Sequence, residues 1–109
     1  MKTTINIGLE LKMRAVKDKL TYLKGYLPKT TTYETLRKIF GEPCYFDEQN
    51  GDKIRVKWLG EINGLIFKIY DYKSPRSIKE NRDWHIGGDN TMTADLVNAY
   101  FQDAVAGNV

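Results

Sequence analysis

The chain holds one histidine, His85, and one cysteine, Cys44, so any nucleophile–base chemistry between soft side chains must use that pair. A thiol becomes an effective nucleophile beside a base that a third group orients, and the sequence offers no evident third group. Cys44, in "EPCYFDE", reads instead as a small, half-buried apolar residue. Structural zinc needs several nitrogen and sulfur ligands, more than one His and one Cys supply, so no metal and no cofactor is expected. His85 lies in "WHIGGDNTMTADLV" (84–97), which invites a second chemistry. The spacing matches neither a dinucleotide-binding fingerprint nor a P-loop. What remains is Gly87-Gly88 ahead of a helix start, where unpaired N–H groups can hold an anion. His85, Gly87, Gly88 and Asn90 are therefore the candidate ligand set for a sequestered nucleotide. Asp89 opposes a phosphate there, and the favoured reading is a plain strand-to-helix joint with His85 on the surface or in an interface.

The acids form no better constellation. Asp47, Glu48 and Asp52 surround "DEQNGDK", where Asn50-Gly51 signals a hairpin turn that favours acids for backbone reasons. No catalytic set is assigned, and the chain is read as a non-enzyme.

Cations and aromatics carry a stronger signal. In "KIRVKWL" (53–59), Ile54, Val56 and Trp58 alternate with Arg55 and Lys57. "LIFKIYDYK" (65–73) adds Lys68, Tyr70 and Tyr72 to the polar face, and "SPRSIKENRD" (74–83) is a charged projecting loop. Arg55, Lys57, Tyr70, Tyr72, Lys73, Arg76 and Arg82 are the expected partner contacts. Tyr and Arg dominate interface hot spots, and aromatics between cations also stack on unpaired bases. Of seven tyrosines, Tyr22, Tyr26, Tyr45, Tyr70 and Tyr72 cannot all be core in so small a domain.

These residues need a frame. "TTINI" (3–7) reads as a short strand or arm. Leu9, Met13, Val16, Leu20 and Leu23 recur at helical intervals, predicting a helix over 9–26 ended by Gly25 and Pro28. Its lysines, Lys12 and Lys19 on one flank and Lys17 and Lys24 on the other, read as a solvated surface. A second helix spans 29–43, with Thr31 and Glu34 as a capping box and Gly41 at its end. The period then shifts to two: "CYF" (44–46) leads into the Asn50-Gly51 turn, strands follow at 53–59 and 65–73, separated by the turn "GEING", and a short return lies at 84–86. A last helix buries Leu96, Val97, Tyr100, Phe101 and Ala104, capped by Asn90, Thr91 or Thr93. The expectation is an α+β fold: one domain over 1–109, a four-stranded antiparallel meander, and two or three helices packed on one face.

A chain of 109 residues suits one modest core. With 41% hydrophobic and 28% charged residues it reads as an ordinary soluble protein. No apolar run approaches a membrane span, and the start is too charged for a signal peptide, so a cytoplasmic location is expected. The net charge of +3 hides an asymmetry: nine Lys/Arg against three acids in residues 1–40, eight against eleven thereafter. The basic half invites a nucleic-acid reading, and the acidic half argues against general DNA coating. A homodimer through a sheet face or edge is a further expectation.

The pieces "YETLRKIFGEP", "WLGEINGLIFKIYDYK", "WHIGGDN" and "DLVNAYF" resemble small bacteriophage-encoded proteins over residues 33–101. That resemblance implies an anti-defence protein of the anti-CRISPR type, which binds and inhibits a host protein or a protein–nucleic-acid complex in the bacterial cytoplasm. The nucleotide-sequestering binder and the single-stranded nucleic-acid module are the alternatives.

Overall fold

The computed structural model describes residues 9–13, 20–49, 51 and 53–107. Within them the order is β1 (Leu11–Lys12), β2 (Tyr22–Tyr26), α1 (Tyr33–Phe40), β3 (Tyr45–Phe46), β4 (Val56–Ile62), β5 (Leu65–Tyr70), β6 (His85–Gly88) and α2 (Thr91–Val105). The fold is α+β, with a six-stranded antiparallel sheet and two helices among the described residues. No helix of the described residues is long and apolar enough to cross a membrane.

The expected four-stranded meander survives as β3-β4-β5-β6 and gains two strands. β2 closes the far edge against β6, while β1 and β3 share the outer side of β4, at Ile62/Glu61 and Lys57/Val56 respectively. The β4–β5 hairpin turns on Asn63-Gly64, both with positive φ (49° and 81°), as a two-residue hairpin loop demands. β5 stops at Tyr70, short of the predicted 73, because Asp71 folds inward.

The predicted helix over 9–26 is overturned. Its described residues form β1, paired Leu11↔Ile62, and β2, paired Tyr22↔Gly88 through Tyr26↔His85. The strand "YLKGY" has two tyrosines suited to a pleated surface, and its Gly25 accepts α2 directly overhead: a Cβ there would sit 2.9 Å from that of Ala94. Tertiary packing outweighs the helical spacing. The readings at 3–7, Asn50, Asp52, Val16, Lys17 and Lys19 lie outside the described residues.

α1 starts one residue later than the capping box implied. Thr32 is the N-cap, and its hydroxyl accepts from the Thr35 amide at 3.0 Å. Thr31 is buried instead. The helix ends at Gly41 with φ 86°, the left-handed conformation that glycine adopts readily. Two indoles hold its ends: Trp84 Nε1 donates to the Thr31 carbonyl at 3.1 Å, and Trp58 Nε1 to the Gly41 carbonyl at 2.8 Å.

Alternation along β4 sends Val56, Trp58 and Ile62 to the helix side, where they meet Phe67, Ile69 and Ile86. α1 contributes Leu36 and Phe40; α2 contributes Ala94, Val97 and Phe101. Phe40 stacks on Phe101 (centroids 6.3 Å, 8° between planes) and meets Phe67 edge-on. Both helices thus cover the same sheet face, leaving Lys57, Leu59, Lys68, Tyr70 and His85 on the other. Cys44 is exposed rather than half-buried, because it precedes β3 at the margin of the sheet.

Candidate functional site: a cationic cleft beside an aromatic cluster

The "WHIGGDN" stretch is not a turn with a glycine cradle. Gly87 and Gly88 lie inside β6, with Gly87 registered against Lys68 on one side and Leu23 on the other. Glycine is needed because both faces are occupied at close range. A Cβ at Gly88 would come 2.9 Å from Thr93 Cγ2 in α2, and one at Gly87 would press on Thr21 and the Tyr70 ring. Asn90 is the N-cap of α2, accepting from the Thr93 amide at 2.9 Å and the Thr93 hydroxyl at 3.0 Å. The candidate ligand set is thus engaged in ladder, packing and capping.

His85 is 8% exposed, not a surface residue. Three tyrosine rings enclose it: Tyr26 at 4.9 Å, Tyr70 at 5.4 Å and Tyr72 at 5.6 Å between centroids. They converge because Tyr70 and Tyr26 are its cross-strand partners on β5 and β2. Asp83 approaches from the rim, with Oδ2 3.4 Å from His85 Nε2. Lys29 donates to Asp83 Oδ1 at 2.7 Å and stands 5.1 Å over the Tyr26 ring. The Lys29 hydrogen bond, followed by that of His85, holds the Asp83 carboxyl below its ordinary value despite partial burial. Burial, with Tyr26 and Tyr72 adding to it, pushes the Tyr70 phenol up. Cys44 precedes β3, and β4 and β5 intervene before β6, so a spacing of about 4.8 Å per strand puts it roughly 14 Å from His85. The two do not form a pair.

The loop after β5 is built, not loose. Asp71 is fully buried and accepts from the Arg55 amide (2.8 Å), the Val56 amide (3.1 Å) and Arg55 Nε (2.9 Å). Arg55 also donates to Glu48 Oε2 and, at 2.7 Å, to the Arg76 carbonyl. With its side chain 14% exposed, Arg55 braces the loop from within rather than standing on an open sheet face as its alternation implied. Ile78 plugs the core, its amide donating to Glu48 Oε2 at 2.9 Å. Asn81 is buried and exchanges two hydrogen bonds with the Asp83 backbone.

This frame gathers Tyr72, Lys73, Arg76 and Arg82 around one cavity of about 260 Å³, joined by Lys29 and Asp83. All four were expected contacts. Lys29 and Asp83 were not, because one sits 54 residues from the other and no local pattern links them. Among the described residues, Lys73, Arg76 and Arg82 have no carboxylate partner: Lys73 lies 5.6 Å over the Tyr72 ring, and Arg82 donates only to the Lys79 and Asn81 carbonyls. Lys57 and Tyr70, the remaining expected contacts, are cross-strand partners on the sheet face away from the helices. No group of metal-ligating side chains occurs among the described residues. No family model, curated protein or solved structure matches the chain.

Proposed function

We propose that this chain is a small non-enzymatic binding protein that docks on, and inhibits, a host protein or ribonucleoprotein through the Tyr72–Arg82 loop. One observation carries the reading: three cations without carboxylate partners among the described residues and an exposed tyrosine share the wall of one cleft on an internally braced loop. Exposed Tyr and Arg are the residue types that dominate binding energy at interfaces. A loop already fixed by Asp71, Arg55 and Asn81 loses little freedom on docking, which favours affinity. The resemblance to phage-encoded proteins gives the class of partner, a host defence component, and the place of action, the host cytoplasm.

The test is affinity purification from bacterial lysate with the tagged protein and a Lys73→Glu/Arg76→Glu variant in parallel. The expected result is a stoichiometric protein partner on the native chain and its loss from the variant. Equal capture by both, or none by either, overturns the reading.

A further inference from the structure

We propose that the cleft is a phosphate site for single-stranded nucleic acid, with Tyr72 as the first stacking platform beside it. The inference rests on the binding reading and goes further, since it names the chemistry that the partner presents. Charge selects an anion: among the described residues Lys73, Arg76 and Arg82 lack carboxylate partners, and Asp83, the one acid of the wall, is already held by Lys29 at 2.7 Å. Guanidinium groups match phosphate oxygens with parallel hydrogen bonds.

The surroundings of the cleft select what the anion is attached to. The cavity of about 260 Å³ has room for a phosphate between Lys73, Arg76 and Arg82. The outside surface is aromatic. Tyr72 forms part of the cleft wall and is 37% exposed; Tyr26, 48% exposed, is tied to the same cleft through Lys29. Both rings pack on the same buried His85, Tyr26 at 75° and Tyr72 at 34°, so each is held in place before a ligand arrives. A base that stacks on such a ring must be unpaired, which selects a single strand over a duplex.

The experiment is fluorescence anisotropy with a labelled single-stranded oligonucleotide, across a salt series. The proteins are the native chain, Lys73→Gln/Arg76→Gln, and Tyr72→Leu. Neither the Lys73 nor the Arg76 side chain makes a hydrogen bond or ion pair among the described residues, and thermal melting verifies that each variant is folded. Native binding is expected to weaken with salt, and the double variant to flatten the log–log slope by about 1.4, at about 0.7 per phosphate contact. Tyr72→Leu is expected to lose about tenfold in affinity. An unchanged slope overturns the site. Equal affinity for a duplex of the same sequence, or for a mononucleotide, overturns the single-strand assignment. Absence of oligonucleotide binding by a chain that still captures its protein partner overturns this inference and leaves the proposed function standing.

Discussion

Arg55 and Asp71 form the buried ion pair on which the β5–β6 loop hangs, with Nε 2.9 Å from Oδ2 and the carboxylate wholly out of solvent. Removing one member of a buried, hydrogen-bonded pair strands the other, at a cost of about 3–5 kcal/mol. Asp71→Asn is therefore expected to lower Tm by more than about 10 °C in a domain of this size. Arg76→Gln, a surface change, should stay within about 0.5 kcal/mol of the native chain. Thermal and denaturant unfolding of the two variants checks this, and an unaltered Tm for Asp71→Asn would show that the loop is held by something else.

Gly25 and Ala94 make a second, steric pair. A methyl at Gly25 meets Ala94 Cβ at 2.9 Å, closer than the packed helix can accept. Gly25→Ala is expected to cost about 1–3 kcal/mol through overpacking. Ala94→Gly costs about 1 kcal/mol by helix propensity. Combined, the two should be less harmful than their sum by about 1 kcal/mol, read from a double-mutant cycle. Strict additivity would mean that α2 has room to lift.

Asp83 supplies a pH-dependent term. Its carboxyl is held below the ordinary 3.8, chiefly by the Lys29 hydrogen bond. A depressed folded value means that the associated stability is present above the unfolded value and is lost as pH falls through the folded one. The side chain is 47% exposed, so solvent screening keeps the contribution small. Lys29→Gln is expected to move the Asp83 titration midpoint up toward 3.8, followed by carboxyl NMR. A stationary midpoint would assign the shift to His85.

Tyr70 acts at the other end of the scale. Its phenol is raised above 10.0, first by burial and then by Tyr26 and Tyr72. The fold favours the neutral ring, so this contribution is full below 10.0 and lost as pH rises through the folded value. Tyr70→Phe is expected to remove one of the two late-titrating phenols among the described residues, Tyr33 being the other, in an absorbance titration.

Local patterns made the hairpin, the end of α1 and the start of α2 legible, whereas the α1 N-cap is Thr32 rather than Thr31. Alternation in "KIRVKWL" gave β4 its two faces, Gly41 ended α1, and Asn90 capped α2. Of the candidate contacts, Tyr72, Lys73, Arg76 and Arg82 could be read because loop and charge coincide in sequence. What failed depended on distant partners. Gly87-Gly88 looks like a breaker, yet it continues a strand because Tyr70 and Thr93 crowd its two faces. Residues 22–26 look helical until β6 and α2 are present to claim them. Arg55 looks exposed because nothing nearby in sequence announces Asp71, sixteen residues on.

The two indoles at the ends of α1 lie 5.8 Å apart at 72°, both fully buried, and the chain has no others. Transition dipoles that close and that oblique couple to each other. Trp58 in β4 and Trp84 just before β6 therefore report optically on whether the helix between their N–H groups is seated. A far-ultraviolet exciton band from this pair should change when α1 undocks and both indole hydrogen bonds are lost. The protein thus contains a spectroscopic gauge of its own core, and whether α1 stays seated in each variant can be read without a label.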